Sequence, residues 1–193
     1  HEKFDQRENW GLESVDESGK EKTKVWIPTG LVIATINPKG KIVRIKIRRA
    51  KWHSEDKFPK YVAVSGSQDG LNIFGKTQDR KMVAIIETEL DAIAIDYIAG
   101  DIVCAIAIGG STKNPDILVD HIAKKAQYLL ICHDNDEAGF EVFEKWKSLY
   151  SKAIRYLAPW GKDIGETFEF GYKSNDIRNW LKNVIELPEV PDI

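Results

Sequence analysis

Residues 82–108 read MVAIIETELDAIAIDYIAGDIVCAIAI, a short apolar run, a segment of helical period and a second apolar run. The first run, 82–86, contains only apolar side chains, as expected for a strand that is buried on both faces. The segment that follows, ELDAIAIDYI, is amphipathic and predicts a helix. The stretch therefore predicts a β-α-β unit whose two strands lie parallel.

The alternation continues to the C-terminal region. YLLICH and AIRYLA predict two more strands, and EAGFEVFEKWKSLY predicts the helix between them. Asn114, followed by Pro115, predicts the start of a further helix, and apolar positions at helical spacing predict a last helix over about 175–185. We expect an α/β fold with a parallel central sheet flanked by helices, whose ligands bind at the carboxyl ends of the strands.

The middle of the chain has a different pattern. Residues 30–49, GLVIATINPKGKIVRIKIRR, alternate and turn at 37–40, as a β-hairpin would. Segment 23–81 holds thirteen Lys and Arg against four Asp and Glu, whereas 82–193 holds eleven against nineteen. A small basic β-rich subdomain at 23–81 is thus predicted before an acidic α/β domain at 82–187, with charged linkers at 1–22 and 188–193. The basic segment indicates a polyanion ligand, although a solvated basic hairpin is an equally good interpretation of its composition.

The composition also limits where the protein acts. The two cysteines, Cys104 and Cys132, lie inside apolar runs, which is typical of free buried thiols and favours the reducing cytoplasm. No apolar stretch approaches the roughly 18 to 20 residues that a membrane span needs, so no membrane partner is expected.

Acidic residues follow three of the predicted strands. Glu87 and Asp91 follow the first, Asp134 and Asp136 follow the third, and Asp163 and Glu166 follow the fourth. Carboxylates that converge on one crevice are the ligands that Mg²⁺ or Mn²⁺ prefers. Asp-x-Asp alone is a weak signal, because Asp136 is also well placed to cap the next helix.

The order of these motifs resembles the Toprim domains of topoisomerases, bacterial-type primases, small nucleases and recombination mediators. That family carries a glutamate after its first strand, a glycine-bearing turn after the second, here Gly109-Gly110, and Asp-x-Asp after the third. DNDEAG at 134–139 and PWGKDIGE at 159–166 are most similar to bacterial-type DNA primases. The compact basic subdomain favours a primase-helicase of a mobile element or virus as the source. The resemblance implies a Toprim fold and the synthesis of short RNA primers on single-stranded DNA.

The resemblance also implies roles for individual residues. Glu87, Asp134 and Asp136 would be the catalytic metal ligands, with Asp91 and Asp163 as supporting acidic residues and Mg²⁺ or Mn²⁺ as the cofactor. It implies single-stranded DNA template and nucleoside triphosphates as partners, together with a replicative helicase, separate or fused. The candidate contacts to nucleic acid or nucleotide are all basic: Arg48, Arg49, Lys51, Lys60 and Lys162.

One position departs from the family pattern. Thr88 follows Glu87 where the family has glycine, and a side chain there narrows the approach to the metal site. His133 beside the acidic pair is interpreted as structural. Gly109-Gly110-Ser111 fits either a phosphate cradle or, more simply, a turn.

Three other functions share some of these features. A Toprim nuclease has the same acidic residues but no need of the basic segment. A non-catalytic nucleic-acid-binding Toprim module has no need of the complete acidic set. A phosphate-receiving signalling domain has a similar sheet, but its acidic pair follows the first strand.

Overall fold

The computed structural model describes residues 3–15, 18–37, 39–77, 81–109 and 113–186. The chain forms two compact units, His1–Asp69 and Gly70–Ile193. Within the described residues, no helix is long and apolar enough to cross a membrane.

The first unit consists of antiparallel β-structure. Strand β1 (Lys3–Gln6) pairs with β2 (Lys24–Ile27), and a 3₁₀ helix (Arg7–Trp10) follows β1. Strands β3 (Gly30–Ile36), β4 (Ile42–Arg49) and β5 (Tyr61–Ala63) form a second antiparallel sheet. The predicted β-rich subdomain is therefore confirmed, and the segment 1–22, predicted as a linker, contributes a strand to it.

The predicted hairpin is present between β3 and β4. Asn37 holds the turn, because its side-chain Oδ1 accepts hydrogen bonds from the backbone of Lys39 and of Lys41, both at 3.0 Å. Gly40 has a φ of +74°, a left-handed conformation that favours glycine. Val25, Ile47 and Val64 form the small core of this unit.

The second unit contains a five-stranded sheet in the order β10-β9-β7-β8-β6. Strands β7 (Met82–Ile86), β8 (Val103–Ala107), β9 (Tyr128–Cys132) and β10 (Ala153–Arg155) are parallel. All residues of β7 and β8 are buried, as their continuous apolar sequences predict. The mostly parallel α/β architecture is confirmed.

Strand β6 (Asn72–Phe74) was not predicted. It pairs antiparallel with β8 at the edge of the sheet. The boundary between the two compact units along the chain falls at Asp69/Gly70, twelve residues before the predicted division at 81/82, so β6 belongs to the second unit.

Among its described residues the second unit has five α-helices: α1 (Glu89–Ala99), α2 (Ile117–Lys125), α3 (Glu137–Leu149), α4 (Ile164–Glu169) and α5 (Ser174–Lys182). A 3₁₀ turn follows at Asn183–Glu186. Buried side chains of α2 and α3, such as Val119 and Trp146, belong to one core, and those of α1 and α5, such as Ile95 and Leu181, belong to another. The prediction of Asn114 as the cap of α2 is wrong, because Asp116 caps that helix through a 2.9 Å bond from the Val119 backbone N–H.

Candidate functional site

The sheet brings the predicted acidic residues to one edge. Strands β7 and β9 are parallel neighbours, and Ile86 is in register with Cys132 at their carboxyl ends. Glu87 and His133 are the next residues of the two strands, and Asp134 follows immediately. Residues more than forty positions apart in the sequence therefore become adjacent.

Glu87 is held by His133. The Nδ1 atom of His133 lies 3.0 Å from Oε2 of Glu87. This contact lowers the pKa of Glu87 against the opposing effect of burial, with the charge of Lys162 helping to keep the carboxylate ionised. The sequence prediction treated His133 as structural and missed the contact, because only the pairing of β7 with β9 brings the two side chains together.

Asp134 and Asp136 share one partner, Lys162. The Nζ atom of Lys162 lies 2.9 Å from Oδ2 of each aspartate. Asp136 also caps α3, because its Oδ1 accepts a 2.9 Å hydrogen bond from the Gly139 backbone. The capping role that the sequence allowed is thus present, yet the second oxygen of Asp136 faces the site. These bonds lower the pKa of Asp136, the Gly139 bond first, and the two carboxylates raise the pKa of Lys162.

Close packing explains why the last residue of DNDEAG, Gly139, is a glycine. A Cβ built on it would lie 1.9 Å from the carbonyl oxygen of Asp134, which is far closer than any real contact. The absence of a side chain lets α3 start directly against the loop that carries Asp134. The glycine of this motif is therefore required for packing.

The carboxylates of Asp91 and Asp163 both lie close to Gly165. A Cβ on Gly165 would be 3.7 Å from Oδ1 of Asp91 and 3.1 Å from Oδ1 of Asp163. Burial raises the pKa of Asp91 to about 6, with the negative charges of Asp163 and Asp134 adding to the effect. Asp163 caps α4 through a 2.7 Å bond from the Glu166 backbone N–H.

Thr88 supports Asp91 directly. Its hydroxyl donates a 2.6 Å hydrogen bond to Oδ2 of Asp91 and accepts one from the Asp91 backbone at 3.2 Å, which caps α1. The Thr88 side chain is therefore hydrogen-bonded to Asp91, three residues later.

The acidic side chains at this edge supply the type of donor atom that a hard divalent cation binds. Burial and the negative charges of Glu87 and Asp163 raise the pKa of Asp134, while Lys162 opposes them, so these side chains are near enough to interact electrically. Oxygen donors on neighbouring carboxylates are what Mg²⁺ and Mn²⁺ need. Within the described ranges, no three His, Cys, Asp or Glu side chains already have a metal-binding arrangement. Instead, the ammonium group of Lys162 contacts two of the carboxylates, those of Asp134 and Asp136.

The predicted basic residues of the first unit are in unequal environments. The Arg49 side chain is 11% exposed, forms a 3.1 Å ion pair with Asp56 and donates to the carbonyl oxygen of Phe58. Lys60 lies over the Trp52 ring, 5.8 Å from its centroid, and Arg48 is opposite Tyr61 in the β4-β5 pairing. Arg49, at the end of β4, is thus bonded to the loop that contains Asp56 and Phe58, whereas Lys51 is exposed.

The glycine turn after β8 is only partly described. Gly109 has a φ of +65° and its backbone N–H donates a 2.9 Å bond to the Glu87 carbonyl oxygen, which fits the interpretation as a turn. Gly110 and Ser111 lie outside the described residues.

Comparison with protein families found a match within the second unit. The Toprim-like family model matches residues 84–168, which include most of β7, all of β8 to β10 and all five acidic candidates. This segment is similar to Toprim-like domains. No curated protein sequence matches the chain significantly.

Solved structures with this fold include bacterial primases. The chain is similar to the zinc-binding and RNA polymerase domains of the Aquifex aeolicus primase, with 21% identity and a TM-score of 0.59 over 79% of this chain and 39% of that one. The RNA polymerase domain of Mycobacterium tuberculosis primase DnaG gives 16% identity and a TM-score of 0.58, covering 91% of this chain and 60% of that one. A DNA primase domain from Pseudomonas aeruginosa gives 18% identity and a TM-score of 0.58, covering 88% of this chain and 55% of that one.

At these identities the likeness shows a shared fold. The chain spans between 39% and 60% of the length of these three solved chains.

Proposed function

We propose that this chain is the catalytic core of a bacterial-type DNA primase, which makes short RNA primers on single-stranded DNA. The observation that supports it most is the position of Glu87, Asp134 and Asp136 at the carboxyl ends of neighbouring strands, in a fold shared with primase cores. The ordered series of acidic motifs in the Toprim-like segment and the basic unit before it add to this support.

Glu87, Asp134 and Asp136 would hold Mg²⁺ or Mn²⁺, with Asp91 and Asp163 supporting them. When bound, such an ion lowers the pKa of an attacking hydroxyl and stabilises the leaving pyrophosphate. The chain positions its own groups for this task, because His133 lies beside Glu87 and lowers its pKa, and Gly139 lets α3 pack against the loop of Asp134. Capping of α3 by Asp136 and of α4 by Asp163 orients two further carboxylates.

The template strand would bind to the basic unit. Its cations attract phosphates whatever the base sequence, and binding of this kind weakens as salt rises. Arg48, Lys51 and Lys60 are the leading contacts, together with Lys162 at the acidic site. Arg49 would serve indirectly, by holding the loop that contains Asp56 and Phe58.

The test is synthesis by this chain or its full-length parent. Single-stranded DNA, labelled ribonucleoside triphosphates and Mn²⁺ should yield short RNA, and Asp134→Ala should reduce the yield at least about a hundredfold, because a preorganised ligand of the reacting phosphates is lost. Glu144→Ala, which removes an exposed carboxylate of α3, should leave the yield unchanged. Metal-dependent degradation of the DNA without RNA product would instead assign the same carboxylates to phosphodiester hydrolysis.

A further inference from the structure

Lys162 is fixed across the acidic site by its main chain as well as its side chain. Its carbonyl oxygen accepts a 2.9 Å bond from the Asn135 backbone, between the two aspartates that its ammonium contacts. Its own N–H donates a 2.8 Å bond to Oε2 of Glu166. Gly161 has a φ of +71°, and a Cβ there would lie 2.7 Å from the same Glu166 oxygen, so the local backbone requires glycine.

Three of the four side-chain oxygens of Asp134 and Asp136 already have a partner within the chain. Asp136 uses Oδ1 to cap α3 and Oδ2 to bind Lys162, so both of its oxygens are engaged. Asp134, whose side chain is 12% exposed, uses Oδ2 for the same ammonium group. A carboxylate oxygen can accept a second partner, but a divalent cation bound to Oδ2 of Asp134 or Asp136 would lie beside the Lys162 ammonium, and the two positive charges repel each other. The helix cap on Oδ1 of Asp136 need not be lost, whereas the Lys162 side chain is 45% exposed and borders the solvent.

We infer that Lys162 is an internal counter-ion that competes with the divalent metal for Asp134 and Asp136, and that metal binding requires its release. The inference rests on the metal site of the proposed function and deepens it. Lys162 is a positioning residue in this account: it holds two like-charged carboxylates together before the metal binds. After release, its anchored backbone keeps the ammonium beside the metal, where it can contact an anionic oxygen of a bound phosphate.

Competition predicts the direction in which the metal affinity changes when the lysine is removed. Removing a lysine that helps to bind the metal would weaken the affinity, but removing a competitor strengthens it. Manganese titration by calorimetry of the whole chain should give an affinity about three- to tenfold tighter for Lys162→Met than for the parent, a range that reflects a partly exposed ion pair. Lys162→Arg, which keeps the cation, should stay near the parent value.

Loss of a positive charge anywhere slightly favours cation binding, so a charge-matched control is needed. Lys125→Met removes an exposed lysine of α2 and should change the affinity less than twofold. Affinity of Lys162→Met equal to or weaker than that of Lys125→Met would overturn the competition while leaving the metal site intact. No manganese binding by the parent or by any variant would overturn the metal site and the competition together.

A second measurement follows the parent chain itself, and the conservative substitution Lys162→Arg serves only to assign the signal. With ¹⁵N-lysine labelling, the ammonium resonance that disappears in Lys162→Arg belongs to Lys162. Saturation of the parent with Mg²⁺ should shift this resonance toward that of a solvated lysine. A resonance that does not move at saturating Mg²⁺ would show that Lys162 keeps its aspartates, which contradicts the inference.

Discussion

Asp91 is the residue at which stability and function conflict most clearly. It is 9% exposed, and burial together with neighbouring carboxylates raises its pKa to about 6. A folded-state pKa above the unfolded value means that the protonated form favours folding. The contribution is complete below about pH 4 and is lost as the pH rises through about 6. At neutral pH the ionised Asp91 therefore destabilises the fold.

Asp91→Asn should remove this penalty. Asparagine imitates the protonated acid and can still accept the Thr88 hydroxyl, so the free energy of unfolding at pH 7.5 should rise by about 2 kcal/mol. Near pH 4 the gain should shrink to less than about 1 kcal/mol. Urea unfolding at both pH values measures the difference, and a gain of equal size at the two pH values would contradict the assigned cause.

Single residues also mark the limit of the sequence prediction. The five acidic candidates were predicted because the order of their motifs follows the strand ends. The contacts of His133 with Glu87 and of Lys162 with Asp134 were not predicted. They depend on which strands are neighbours and on the path of the 160–163 loop, and neither local propensity nor spacing specifies these.

Among the elements, α3 is the one whose packing matters most for the site. It begins at Glu137, directly after the Asp-x-Asp pair, and Gly139 lets its first turn contact the Asp134 backbone. A side chain at Gly139 would push the helix or the loop away, and the loop carries two of the proposed ligands.

Gly139→Ala should destabilise the protein by about 1 to 3 kcal/mol, because overpacking against the backbone outweighs the better helix propensity of alanine. It should also weaken manganese binding, since Asp134 moves with its loop. Gly70→Ala is the matched control, because a Cβ on Gly70 would contact nothing within 4 Å. Chemical denaturation and calorimetry of the two variants provide the comparison, and equal stability would disprove the close approach.

The strands with the strongest sequence patterns were the ones predicted correctly. Strands β7, β8 and β9 are continuous apolar runs and were predicted correctly. Strand β6 has three residues, starts with the polar Asn72 and pairs in the opposite direction, so its sequence carries no comparable signal. The cap of α2 was misplaced by two residues because Asn114 and Asp116 are both good capping residues, and only the backbone path selects Asp116.

At the scale of the whole molecule, the charges are divided between the units. The β-rich unit, 1–69, holds fourteen Lys and Arg against ten Asp and Glu, and the unit 70–193 holds fourteen against twenty, so the net charge of −2 hides the division. The proposed function assigns a polyanion to the first unit and divalent cations to the second. It requires that the acidic residues act as one metal site.

Manganese titration of Asp134→Ala and Asp136→Ala tests that claim most directly. Each aspartate is a proposed ligand, so each substitution should weaken Mn²⁺ binding at least about tenfold, as is usual when the ligand set or its support is broken. Glu144→Ala should retain the parent affinity. Unchanged Mn²⁺ affinity in both aspartate variants would contradict the account, because the metal would then bind elsewhere.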